Sequence, residues 1–327
     1  MTKTKIVSFH ESFSGCGSVS KLPLLLLNEN VLFAVVFALC SLVSCSKFEG
    51  GQEVPAYLTI DAIKVVDDNE TSWQVQYGAG FFATQSIDAA EVSIYFEGDT
   101  AEWTLGVYQL PCKLPVLRKG VAQRVVIHPV IKQNGIASTR IAYPYYNEIK
   151  LSNVVLAEDS VTQLGTLNTT MNRFTKVVWH EFFEKIQVDV SLDTCVEILA
   201  DNPELICTGT GSGVVHVPAA MTELNFWGDT TVTVDDPTAY LYLEMDYRTD
   251  YNLSVGIKGP STAGGTEQTN SAIMLYANDH WQKIYINLGK VWRYHSHYPQ
   301  FRLFFTAFNP DGKEGNVYLD NMKLLVL

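Results

Sequence analysis

Basic residues are scarce in this chain: 23 Lys and Arg face 35 Asp and Glu over 327 residues, for a net charge of −12. That deficit excludes the positive field on which nucleic-acid binding depends, and anionic lipid head groups would repel rather than attract the protein. A membrane-spanning run is also lacking. The apolar stretch from Val31 to Val43 covers 13 positions, interrupted only by Ser41, whereas a helix needs about 20 to cross a bilayer. Catalytic signatures are missing too. No Gly-x-Ser-x-Gly elbow fixes a nucleophile, and "AGGTEQ" lacks the lysine of a phosphate-binding loop. Val178-Trp179-His180-Glu181-Phe182-Phe183-Glu184 begins like a zinc-binding His-Glu-x-x-His, but Glu184 stands where the second imidazole belongs. It reads instead as a linker or strand whose Trp179 and Phe182 pack between domains. No catalytic residue, metal site or cofactor is assigned, apart from a structural calcium that acids such as Glu244 and Asp246 could help to bind.

What is present starts with the end of the apolar run. Leu42-Val43-Ser44-Cys45 resembles the lipobox of bacterial lipoproteins, which implies a cleaved signal peptide over 1–44, a lipidated Cys45 and a polar tether over 45–53. Several acyl chains, at about 0.8 kcal/mol per buried methylene, would anchor the protein firmly. Cleavage leaves 283 residues with a net charge of −13, enough for two domains. Aromatics at 12% and scattered Gly, Pro and Asn turns belong to an ordered protein. Of the remaining cysteines, Cys195 and Cys207 flank the turn-like "ADNPEL". In an oxidising compartment they could close a disulfide contributing roughly 3 kcal/mol. A pair of buried thiols fits equally, and Cys112 reads as a small core residue.

Strand signals dominate beyond the tether. "AYLTIDAIKVV", "AAEVSIYFEG", "WTLGVYQL", "QRVVIHPVI" and "EIKLSNVVLA" are β-branched or aromatic runs in partial alternation, separated by turn residues. They predict an Ig-like β-sandwich over 54–161. The polar "TQLGTLNTTMN", 162–172, reads as a linker. Ten further strands over 173–327 predict a jelly roll, making the protein all-β. The longest gap between them is "KGPSTAGGTEQTN", 258–270, a loop long enough to be functional.

"VPAYLTIDAIKV", "GVYQLPCKLPVLRKG" and "KQNGIASTRIAYPYY" resemble a family of two-domain outer-membrane lipoproteins of the Bacteroidota. The resemblance covers essentially the whole mature chain. The second half, with "YLYLEMDYRTDYNLSVGI" and "HWQKIYINLG", is similar to the jelly rolls of carbohydrate-binding modules. These likenesses imply lipid anchorage at the outer membrane. The periplasmic and surface faces both stay open, because "SKFEGG" has one acid, Glu49, where surface-export tags tend to have two.

Two stretches offer binding chemistry. In "WRYHSHYPQ", 292–300, Trp292, Tyr294 and Tyr298 interleave with Arg293, His295 and His297; on an extended chain the two histidines share a face. Rings for C–H stacking beside polar groups for hydroxyls suit a sugar. The same residues are enriched at protein interfaces, and Trp292 and Tyr294 could equally be core residues. In "STRIAYPYY", Arg140 lies among Tyr143, Tyr145 and Tyr146, and it is a candidate with Tyr145 for binding a partner. Glu244 and Asp246 share a face if "YLEMDY" is a strand, and most such acids flank a core strand in solvent. The leading expectation is a lipid-anchored, non-enzymatic subunit of an outer-membrane protein complex. The alternative is a glycan-binding lipoprotein that takes polysaccharide on its jelly roll.

Overall fold

A computed structural model describes residues 53–68, 72–184, 192, 195–260, 266–295 and 300–327; Val54–Leu327 form one compact unit. Cys45 and the apolar run at 31–43 lie outside the described residues. No helix among the described residues is long and apolar enough to cross a membrane.

The alternating runs of the first half become β1 (Ala56–Ile60), β2 (Ala62–Val66), β3 (Ala89–Phe96), β4 (Trp103–Gln109), β5 (Cys112–Val116), β6 (Gly120–Lys132), β7 (Arg140–Ala142), β8 (Ile149–Leu156), β9 (Val161–Gln163) and β10 (Thr166–Thr170). One sheet has the order β4-β3-β6-β7, with β8 also on β6; against it lie β5-β1-β9 and the pair β10-β2. Leu58, Ile60, Val92, Ile94, Leu114, Val125 and Ile127 fill the space between, each supplied by the inward face of its strand. The result is the β-sandwich expected.

Its boundary is not where the polar composition put it. The stretch 162–172 is no linker: β9 runs parallel to β1, and β10 runs parallel to β2. Leu167 and Thr169 are buried while Thr166 and Asn168 are exposed, so alternation was present but carried by Thr and Asn. The first sandwich therefore closes with residues that a composition-based boundary assigns to a spacer.

The second half supplies β11 (Lys176–Glu181), β12 (Val196–Leu199), β13 (Ser212–Val217), β14 (Glu223–Trp227), β15 (Val232–Thr233), β16 (Leu241–Thr249), β17 (Asn252–Pro260), β18 (Glu267–Leu275), β19 (Asn278–Asn287), β20 (Gln300–Phe308) and β21 (Gly315–Val326). A six-stranded sheet has the order β12-β13-β21-β16-β19, with β11 also on β21; a five-stranded sheet has the order β14-β20-β17-β18, with β15 also on β20. Phe226, Leu243, Met245, Val255, Ile257, Ile286, Leu303, Phe305 and Leu319 pack between them. This antiparallel double sheet is the jelly roll.

A third apolar cluster joins the two modules. Trp73, Phe81, Phe82, Tyr143, Tyr145, Tyr146 and Phe182 meet Tyr242, Tyr285 and Leu325 on the outer face of the six-stranded sheet. A one-turn helix, Trp73–Tyr77, opens this contact, with Asp67 accepting from the Trp73 and Gln74 amides at 2.8 and 3.1 Å. Trp73 and Tyr77, four apart and therefore on one face, stack with Phe81. The turn at Gln133 and Asn134 lies on β19: the Asn134 amide donates to Tyr285 O at 2.8 Å, and the Asn287 amide donates to Asn134 Oδ1 at 2.8 Å.

Candidate functional site

The outer face of the six-stranded sheet is closed by the first module, and it is charged. On β16, Glu244 and Asp246 do share a face, but both are buried rather than solvated. Glu244, 0% exposed, accepts from Tyr143 Oη at 2.8 Å and Gln85 Nε2 at 3.1 Å, and pairs with Lys323 Nζ at 3.2 Å. Burial alone would lift its pKa; Lys323 first, then Lys283, overcome that and hold the carboxyl below its usual range. Asp246 accepts from Thr84 Oγ1 and from Asn321 Nδ2 at 3.0 Å, and pairs with Lys283 Nζ at 3.5 Å. Lys323 also donates to Phe81 O at 2.5 Å. Two lysines thus answer these two acids, which is what lets charge persist in a buried junction.

A third carboxyl, Asp320, lies opposite Asp246 in the register. It accepts from Ser212 Oγ, Thr208 N and Asn321 N. Burial, the largest cause, and the charge of Asp246 push Asp320 up to about 7 against those bonds. β21 bulges here: Glu244 faces Lys323 while Asp246 faces Asp320. Asn321 takes the extra position with φ 47°, a conformation Asn tolerates better than most residues.

The five-stranded sheet has the open face. Along β20, Phe301, Leu303, Phe305 and Ala307 are buried, so Arg302, Phe304, Thr306 and Phe308 project outward. On β14, Asn225 and Trp227 flank the inward Phe226. The register sets Trp227 beside Phe304, with Gly256 beyond on β17 and Ser271 beyond that on β18. Gly256 is required there, since a Cβ would meet Asn270 O at 2.0 Å. The next row is polar: Thr306 Oγ1 donates to Asn225 Oδ1 at 2.7 Å, and the Ser254 and Ser271 hydroxyls pair at 2.8 Å. On the other side of the aromatic row stand Lys258 and Arg302, with Lys258 Nζ 4.6 Å from the Trp227 ring centroid. At the far end, Phe308 and Asn252 border a hollow of about 290 Å³ that also includes Asp250, Asp311 and Glu314. From Arg302 to Phe308 this face spans roughly 20 Å at the rise of an antiparallel strand. It offers half-buried rings beside hydroxyl, amide and charged groups, the combination a saccharide needs.

The residues singled out from sequence lie elsewhere. "WRYH" is not extended: Gly289–His295 form a helix packed on β16, β17 and β18. Trp292 is 1% exposed and tilts against Phe301 at 5.2 Å, which corrects its assignment as a binding ring. Arg293 Nε donates to the Gly289 carbonyl at 3.1 Å, and Tyr294 projects outward, 69% exposed. His295 belongs to the helix rather than to a strand; His297 and Tyr298 lie outside the described residues. Arg140 is held by Asp88 at 3.3 Å and Ala137 O at 2.9 Å. Tyr145 is buried and donates to the Tyr240 and Leu325 carbonyls. Tyr145 belongs to the junction between the modules, while Arg140 is tied to partners within the first module. No disulfide joins Cys195 and Cys207; burial, and then Asp246 and Asp320, push the Cys207 thiol far up. His180 and Glu181 lie in β11, with Trp179 in the jelly-roll core and Phe182 at the junction. Of the expected loop over 258–270, residues 258–260 end β17 and residues 267–270 open β18; residues 261–265 lie outside the described residues. Among the described residues no group of three His, Cys, Asp or Glu is placed to hold a metal.

No protein family and no curated protein matches the chain. Solved structures do resemble it. One comes from work on carbohydrate-binding modules of the β-sandwich superfamily, at 12% identity and TM-score 0.31, covering 72% of this chain and 84% of that one. Another is the C-terminal family 22 carbohydrate-binding module of Clostridium thermocellum Xyn10B, at 12% identity and TM-score 0.30, covering 46% of this chain and 92% of that one. A third is a family 16 carbohydrate-binding module, at 14% identity and TM-score 0.26, covering 40% and 84%.

Proposed function

We propose that this chain is a non-catalytic glycan-binding protein that takes saccharide on the outer face of its five-stranded sheet. The observation that carries the reading is the cross-strand pair Trp227 and Phe304, half-buried rings on a sheet face with Asn225, Ser271 and Arg302 around them. Apolar sugar faces stack on rings while the surrounding polar groups bond hydroxyls. Of the two residues named for a protein partner, Tyr145 is buried with its hydroxyl donating within the unit and Arg140 bonds Ala137 O and Asp88, whereas Trp227 and Phe304 stand on a sheet face, which supports the glycan reading.

Trp227→Ala is expected to abolish retention on polysaccharide in affinity electrophoresis while leaving the circular-dichroism spectrum intact. Retention equal to the parent's by a folded variant would remove this face from consideration. We further propose attachment to the outer membrane through acylated Cys45; Cys45→Ser should leave an unacylated protein or an uncleaved precursor by intact-mass measurement.

A further inference from the structure

Lys258 and Arg302 stand directly opposite one another in the antiparallel register of β17 and β20. Both point outward, because Ile257, Phe301 and Leu303 on either side are buried in the core. Like charges so placed destabilise a sheet, and this chain has few cations to spend. One of the two is answered: Lys258 Nζ pairs with Glu267 at 2.8 Å. That bond is the main reason the Glu267 carboxyl sits below its usual range, with Arg302 a smaller contributor.

Among the described residues no carboxylate pairs with Arg302. Among the described residues its side-chain bond is from Nε to the neutral Thr231 Oγ1, at 3.4 Å. Among the described residues one positive charge is therefore left over at the edge of the Trp227 and Phe304 row. The opposite end of the face carries three acids, Asp250, Asp311 and Glu314, around its hollow, against one lysine, Lys313, which pairs with Asp311 at 3.4 Å. The surface is polarised along the strands, with a guanidinium fork at one end and an excess of acids at the other. Such a fork is suited to a carboxylate, which it can bind through two parallel N–H bonds.

We infer that the saccharide recognised here is acidic: a uronate-bearing glycan whose sugar ring stacks on Trp227 and Phe304 while its carboxylate is received by Arg302. The inference rests on the glycan reading of this face. The acids beyond Phe308 repel the same carboxylate, so the charged sugar has one preferred position.

The test is binding of the full mature protein to polygalacturonate, alginate and hyaluronan, each beside its methyl ester, together with neutral galactan and xylan and a sulfated galactan. At least one uronate is expected to bind about tenfold or more tightly than its ester, the scale of a hydrogen bond to a charged group, and the margin should shrink with added salt. Arg302→Gln should bring acid and ester to the same affinity. Equal affinity for acid and ester, an unchanged preference in Arg302→Gln, or retention of the sulfated galactan alone would overturn the carboxylate assignment while the glycan face stood. Failure of every polysaccharide, acidic and neutral, would overturn the face itself.

Discussion

Tyr143 of the first module donates its hydroxyl to Glu244 of the second at 2.8 Å, across 101 positions of sequence. That bond belongs to the contact that makes two sandwiches one body. Tyr143→Phe removes it and leaves a buried carboxylate oxygen one donor short, which should cost about 1–3 kcal/mol. Urea unfolding followed by tryptophan fluorescence and by far-ultraviolet dichroism checks this. The parent is expected to give coincident single transitions, and two separated transitions would refute a coupled junction.

The pairing of Glu244 with Lys323 should behave as buried ion pairs do. Either Glu244→Leu or Lys323→Met strands a charge in a dry site and is expected to cost about 3–5 kcal/mol. The double variant removes both charges and should be markedly more stable than the sum of the two losses implies. A double-mutant cycle of unfolding free energies measures that coupling; simple additivity would mean the two charges do not depend on one another.

Asp320 makes stability depend on pH in an unusual sense. Its carboxyl is pushed up to about 7 in the folded chain from an ordinary 3.8. Between about pH 4 and 7 the folded state therefore keeps a proton that the unfolded state has released, and its contribution to stability falls as pH rises through that window. The slope is at most about 1.4 kcal/mol per pH unit, and it levels off above about 7. Carboxyls held low, such as Glu244, act in the opposite direction, so the quantity to read is the difference between the parent and Asp320→Asn. That difference should move in the variant's favour from pH 5 to pH 7; a constant difference would contradict the assignment.

Two tryptophans separate folding from binding. Trp292 is buried against Phe301, so Trp292→Ala is expected to cost about 3–5 kcal/mol. Trp227 lies on the open face, and Trp227→Ala should cost well under that while removing saccharide binding. Thermal melts beside affinity electrophoresis distinguish the two, and a reversed pattern would exchange their roles.

The two tryptophans also mark what could be read from sequence. Strands announced themselves through alternation wherever the inward residues were Val, Ile, Leu or Phe, as in β3, β6 and β20. They went unseen where Thr and Asn carried the pattern, as in β10, whose partner β2 lies about a hundred residues earlier. Trp292 sits in a polar stretch that leaves a binding and a core reading equally open, because a seven-residue helix shows too few turns to reveal its buried side. Trp227 had a usable signal: adjacent aromatics in a strand, Phe226 with Trp227 and Phe304 with Phe305, must project from opposite faces, so one ring of each pair leaves the core. The shared face of Glu244 and Asp246 was legible, but its burial was not, since that depends on the distant segment containing Thr84 and Gln85. The phrase "KQNGIASTRIAYPYY" resembled a family of two-domain proteins, and it supplies Gln133, Asn134, Tyr143, Tyr145 and Tyr146 to the contact between the modules.

That contact limits how this jelly roll could be exchanged between genes. A cassette cut at residue 173 would display Glu244, Asp246, Lys283 and Lys323 to solvent beside Tyr242, Tyr285 and Leu325, losing the ring cluster and the hydroxyl and amide donors of residues 73–146. Recombination could succeed only by carrying the first sandwich along or by replacing the whole outer face of the six-stranded sheet at once. The smallest piece that keeps these charges buried is therefore the pair of sandwiches, even though each has a core of its own.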